Sequence, residues 1–99
     1  MSLTGCYIIR SEKLNRFYIG STQGGYEQRI LHHNLHLYGT HRYTAAATDW
    51  AIYLWIPTTD IRHAIRIEKK IKAMKSATYI CNLLKYAELR EKIYNETSR

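Results

Sequence analysis

Glu68 is the residue of this chain whose type and setting speak most directly of chemistry. Ile61, Ala64, Ile67 and Ile71 recur around it at three- and four-residue spacing, the apolar stripe of an amphipathic helix. Glu68 projects from within that stripe, while Arg62, Arg66, Lys69 and Lys70 lie on the opposite side. A carboxylate turned toward a core is costly unless it is paired or holds a cation. Three readings follow: a cation ligand, a buried salt bridge to Arg29, or a residue at the core's rim that reaches solvent. Tyr7 and Tyr18 sit in short strand-like segments, and Arg29 and His33 are one turn apart on a helix. Taken singly, these are strand packing and a wet helix edge. His32 and His36 are also one turn apart, but no cysteine or acidic third ligand stands near them for zinc. Ser21 and Thr22 with Gly24 and Gly25 form either a plain turn or a loop whose amides approach phosphate.

The elements that position these residues are readable in outline. Residues 5–10 and 16–20 are β-branched and aromatic, and the polar stretch 11–15 between them makes an antiparallel hairpin with a longer loop. Tyr7 and Ile9 share one strand face and Cys6 and Ile8 the other, so the sheet needs cover on both sides. From Gly25 to Tyr38 the pattern is helical, with Tyr26, Ile30, Leu31, Leu35, Leu37 and Tyr38 on one half of the wheel and Gly39 as the stop. Residues 50–56 are a third strand ended by Pro57. Thr58, Thr59 and Asp60 offer caps for a helix over about 60–75, and a last helical stretch covers about 77–95. The predicted order is ββαβαα, an α/β (α+β) fold with a small three-stranded antiparallel sheet flanked by helices.

Composition sets the outer bounds. The chain has 99 residues, 45% of them hydrophobic, and carries 15 Lys and Arg against 8 Asp and Glu, a net charge of +7. One folded domain over 1–99 is expected, with a core at about 4–86 and a C-terminal helix or tail at about 87–99. No apolar run has the length of a membrane span, and the start lacks the layout of a secretory signal. Cys6 and Cys81 show no metal or redox spacing, which fits a reducing, cytoplasmic compartment. The positive excess asks for a polyanionic partner, nucleic acid by default. Charge alone leaves ribosomal protein, DNA binder and nuclease equally open.

Two short motifs narrow the choice. Gly5-Cys6-Tyr7 is followed, after residues 8–17, by Tyr18-Ile19-Gly20. This resembles the signature of the GIY-YIG nuclease superfamily, with Cys6 replacing the usual Ile or Val of the first motif. Arg29 and His33 stand on the first helix where that family carries its Arg and His, and Glu68 on a later helix where it carries its metal ligand. The run 40–44 followed by Trp50 looks like the small stand-alone branch, related to the nuclease domain of the excision-repair incision subunit.

The resemblance implies a divalent-metal-dependent endonuclease that hydrolyses DNA phosphodiester bonds, with a repair or recombination complex as its setting. It implies one Mg²⁺ or Mn²⁺ on Glu68, phosphate held by the guanidinium fork of Arg29, and Tyr7, Tyr18 and His33 in one hydrogen-bond network around the attacking water. Whether Tyr7 or His33 takes the proton stays open at this point. His36, His41 and Asn82 are candidates for site support. Arg42, Arg62, Arg66, Lys69, Lys70 and Lys72 are candidates for contact with the DNA backbone. Two other functions fit the same composition: a GIY-YIG scaffold that binds nucleic acid but turns over poorly, and a structural protein of a ribonucleoprotein.

Overall fold

The computed structural model describes residues 3–35 and 47–98. Three strands, β1 (Gly5–Ser11), β2 (Arg16–Thr22) and β3 (Ala51–Pro57), form one antiparallel sheet in the order β2-β1-β3. The first strand of the chain is therefore the central one. Register pairs Tyr7 with Gly20 and Ile9 with Tyr18 on the β2 side, and Tyr7 with Trp55 on the β3 side. The hairpin turn is held by Asp49, whose carboxylate accepts from the Ser11 hydroxyl at 2.6 Å and the Lys13 amide at 3.0 Å.

Both faces of the sheet are covered, as the apolar alternation of β1 requires. Cys6, Ile8, Ile19, Leu54 and Ile56 pack against α2 (Ile61–Met74), α3 (Ala77–Lys85) and α4 (Ala87–Thr97) through Ile67, Ile71, Leu83 and Ile93. Tyr7 and Ile9 pack on the other face with Ala47 and Trp50, joined by Tyr26 and Ile30 of α1 (Tyr26–Asn34). Burial pushes the Cys6 thiol far above its ordinary value, and the nearby Glu68 carboxylate pushes the same way, so Cys6 is a neutral packing group.

Helix α1 differs from expectation. It ends at Asn34, and Leu31 and Leu35 are 54% and 59% exposed rather than core residues. Tyr26, Ile30 and His33, spaced four and three apart, form the face that meets the sheet, which turns Leu31 and Leu35 outward. Leu37, Tyr38 and Gly39 lie outside the described residues. The Asn34 amide pairs with the backbone of Trp50, donating to its carbonyl at 3.0 Å and accepting from its N–H at 2.8 Å. This clamp fixes α1 to the entry of β3.

Helix α2 starts where the caps placed it: the Asp60 carboxylate accepts from the His63 amide at 2.9 Å. The last helical stretch is two helices, broken at Tyr86 in extended conformation. The Arg90 guanidinium donates to the carbonyls of Leu83 and Leu84, both at 2.7 Å, and so satisfies the C-terminus of α3. The final turn of α4 is tied to α2. His63 Nε2 lies 3.0 Å from both the Tyr94 carbonyl and Thr97 Oγ1, and Arg66 Nε donates to the Thr97 carbonyl at 2.6 Å.

The capping bond holds the Asp60 carboxyl below its ordinary value. A depressed native value means that the cap stabilises the fold above the unfolded-state pKa of about 4, and that this contribution is lost as pH falls through the native value. Replacing Asp60 by Asn keeps an N-cap without a titrating group. Urea unfolding from pH 7 to pH 3 should show a shallower acid loss for Asp60→Asn than for the parent chain.

Candidate active site

The hairpin register brings the two tyrosines to one face of the sheet. Their ring centroids are 6.3 Å apart, and His33 reaches them from α1. The Tyr7 hydroxyl and His33 Nε2 are 3.1 Å apart, and the Tyr18 and His33 ring centroids are separated by 4.7 Å. Tyr7 and His33 are each 2% exposed, and Tyr18 is half-buried. Gly20 makes this arrangement possible. A Cβ there would stand 2.5 Å from the Tyr7 hydroxyl and 2.6 Å from Cζ, so the phenol lies across β2 through space that any side chain would fill.

Beside this aromatic cluster runs a groove of about 710 Å³ between the N-terminal part of α1, the end of β2 and α2. Arg29 and His32 from α1, Ser21 and Thr22 from β2, and Ile61, Ile65 and Glu68 from α2 line it. Ser21 and Glu68 belong to the α2 side of the sheet, Thr22 and Arg29 to the α1 side. β2 is an edge strand, so residues from the two layers meet around its end.

Glu68 sits at the rim of the core with its side chain 20% exposed. Both carboxylate oxygens are engaged: Oε1 accepts from the Ser21 hydroxyl at 2.5 Å, and Oε2 from Lys72 Nζ at 2.6 Å. Glu68 thus stands at the core's rim, and its ion pair is with Lys72. Lys72 Nζ also stands 5.9 Å from the centroid of the Tyr18 ring. The groove and the aromatic cluster are thus linked in one chain of contacts, Ser21–Glu68–Lys72–Tyr18–His33–Tyr7. Arg29 Nε donates to Thr22 Oγ1 at 3.4 Å. Thr22 Oγ1 also accepts from the Gly24 amide at 3.2 Å, and the Gly25 amide donates to the Leu3 carbonyl at 2.9 Å. These two amides serve the turn, which is the plainer of the two readings of this glycine pair.

The other candidates are dispersed. Arg62 and Lys69 are exposed on α2. Arg66 and Lys70 are drawn to α4, the latter by Glu96 at 3.1 Å. Asn82 is half-buried on α3 and is not among the described residues of the groove. His36, His41 and Arg42 lie outside the described residues. Among the described residues no three metal-ligating side chains cluster, and Glu68 is the one carboxylate lining the groove. A single carboxylate still fits a hard divalent ion that keeps most of its waters and takes further oxygens from a substrate phosphate. Sequence reasoning missed the partners of Glu68. The four-residue step to Lys72 was the available signal; Ser21 gave none, because its contact depends on α2 packing beside the end of β2.

Gly20→Ala is expected to cost about 1–3 kcal/mol, the usual penalty of overpacking, since the buried Tyr7 ring has no room to retreat. Urea denaturation would measure it, and a neutral outcome would show that the phenol can leave His33 freely.

A family model described as the GIY-YIG catalytic domain matches residues 3–80, more than half of the chain. No curated protein and no solved structure gives a significant match. The match takes in both tyrosine strands, all of α1, β3 and α2, and therefore every residue of the groove and of the aromatic cluster described above. The chain belongs to the GIY-YIG nuclease superfamily, a family of endonucleases.

Proposed function

We propose that the protein is a divalent-metal-dependent endonuclease that hydrolyses phosphodiester bonds in DNA. The observation that carries this reading is the chain of contacts that joins a groove holding Arg29 and Glu68 to a buried Tyr7–His33 pair. Glu68 with water would hold one Mg²⁺ or Mn²⁺, which supplies positive charge against the phosphoryl and leaving oxygens in the transition state. Arg29 holds a non-bridging phosphate oxygen in its planar fork, and Thr22 on Nε limits the rotation of that fork.

A free phenol has a pKa near 10 and is a poor base at neutral pH. His33 changes that. As the water attacks, its proton passes to the Tyr7 oxygen while the phenolic proton passes to His33 Nε2, so the pair ends with a neutral phenol and an imidazolium. Tyr18, whose ring lies against His33 at an interplanar angle of 59°, limits the tilt of the imidazole and stands between it and Lys72. Arg62 and Lys69, exposed on α2, extend the basic surface along the DNA backbone. These contacts are to phosphates, which position a substrate without reading its sequence. The test is incubation of the purified chain with supercoiled, branched and single-stranded DNA, and with RNA, in Mg²⁺ or in chelator.

Two variants probe the division of labour. Glu68→Gln should lower the cleavage rate by about two to three orders of magnitude while the circular dichroism spectrum is kept, the scale expected for loss of a main electrostatic element. Parental cleavage by this variant would remove Glu68 from the reaction. Arg29→Lys should be nearly as slow as Arg29→Ala, because an ammonium cannot reproduce the two-pronged contact. A Lys variant at full rate would reduce Arg29 to diffuse positive charge.

A further inference from the structure

We infer that Lys72 is a resident counter-ion for Glu68, which an incoming divalent cation must displace, and that it thereby sets the metal concentration at which the site loads. This rests on the reading of Glu68 as the metal ligand. The Glu68 side chain is four-fifths out of solvent, and its two oxygens have different partners. Ser21 gives Oε1 a neutral hydrogen bond at 2.5 Å, which fixes the plane of the carboxylate without adding charge. Lys72 gives Oε2 a full positive charge at 2.6 Å. Of the two, only the ammonium occupies the place and supplies the charge that a cation would.

The lysine is built to leave. It is half exposed, it hangs one turn beyond Glu68 on the same helix, and its ammonium already lies 5.9 Å from the centroid of the Tyr18 ring. The face of that ring gives the displaced ammonium a second favourable position within cation–π range. An i,i+4 ion pair with a half-exposed lysine is weak enough for a divalent ion to break. Without Lys72, the mostly buried carboxylate would keep the Ser21 hydroxyl as its one partner among the described residues. Lys72 is in this sense a positioning residue: it acts through Glu68, and it keeps the carboxylate in place before the metal arrives.

The measurement is Mn²⁺ binding to the full chain, without nucleic acid, by electron paramagnetic resonance. Lys72→Met keeps the apolar stem and removes the charge, and it should bind Mn²⁺ roughly two- to tenfold more tightly than the parent, the range of a half-exposed ion pair. Lys72→Arg, which keeps the competing charge, should stay within about twofold of the parent by the same reckoning. Adding Glu68→Gln should abolish binding in every background. Damage to the fold weakens binding, so a tightening is the outcome that a merely structural lysine would not give. If Lys72→Met binds no tighter while binding still depends on Glu68, the counter-ion role is overturned and the metal site stands. If no variant shows Mn²⁺ binding that depends on Glu68, the metal reading fails, and the role of Lys72 fails with it.

Discussion

A phenol buried at the centre of the sheet is the constraint from which the rest of the architecture follows. Tyr7 stands on the middle strand, 2% exposed, with neighbours on both sides. Its ring is a large apolar load, but its hydroxyl needs a partner out of water. The ring takes its way out of the packed layer across β2, and that way is open because the paired residue is Gly20. His33 then has to be where the hydroxyl emerges, which fixes the rotation of α1 about its axis. That rotation also decides which α1 residues face the groove. Arg29 arrives at the end of β2 as a consequence of His33, one turn earlier on the same helix.

The carboxylate half of the site obeys a different constraint. Glu68 belongs to the opposite layer, and it can meet α1 residues only at the edge of the sheet. Ser21 makes the meeting possible: its hydroxyl points to the α2 side while the next residue, Thr22, binds Arg29 on the other. Two adjacent residues of one strand thus connect the layers. The alternation that normally separates two faces here delivers a polar group to each. The groove gathers Arg29, His32 and Glu68, and Lys72 stands beside it on Glu68, so that the basic groups here outnumber the one carboxylate.

Much of this was legible in the sequence where the cause is local. The strands, the Asp60 cap and the odd placement of Glu68 in an apolar stripe each depend on neighbours a few residues away. Leu31 and Leu35 were misassigned because a helix this short has its buried face chosen by the sheet, and His33 outweighs two leucines once it has a buried partner. The break at Tyr86 was invisible for a similar reason. It is sealed by Arg90, reaching back to carbonyls six and seven positions earlier. Gly20 could be read as a motif letter, but its reason, the phenol passing over it, exists only after the hairpin is paired. Ser21 as a partner of Glu68 needed the relation of α2 to β2, which no periodicity reports.

The placement of the earliest strand at the centre of the sheet has a consequence for synthesis. β1 and β2 leave the ribosome together and can pair at once through a short turn. The other edge of β1 must wait for β3, which begins only at Ala51. Until then the nascent chain presents an open row of backbone donors and acceptors beside Cys6, Tyr7, Ile8 and Ile9, a strand with no charge in this stretch. Such an edge recruits other strands as readily as its own partner. The price of burying the phenol on both sides is a translational window in which the chain is most open to aggregation, and slow decoding between Thr22 and Ala51 would lengthen that window.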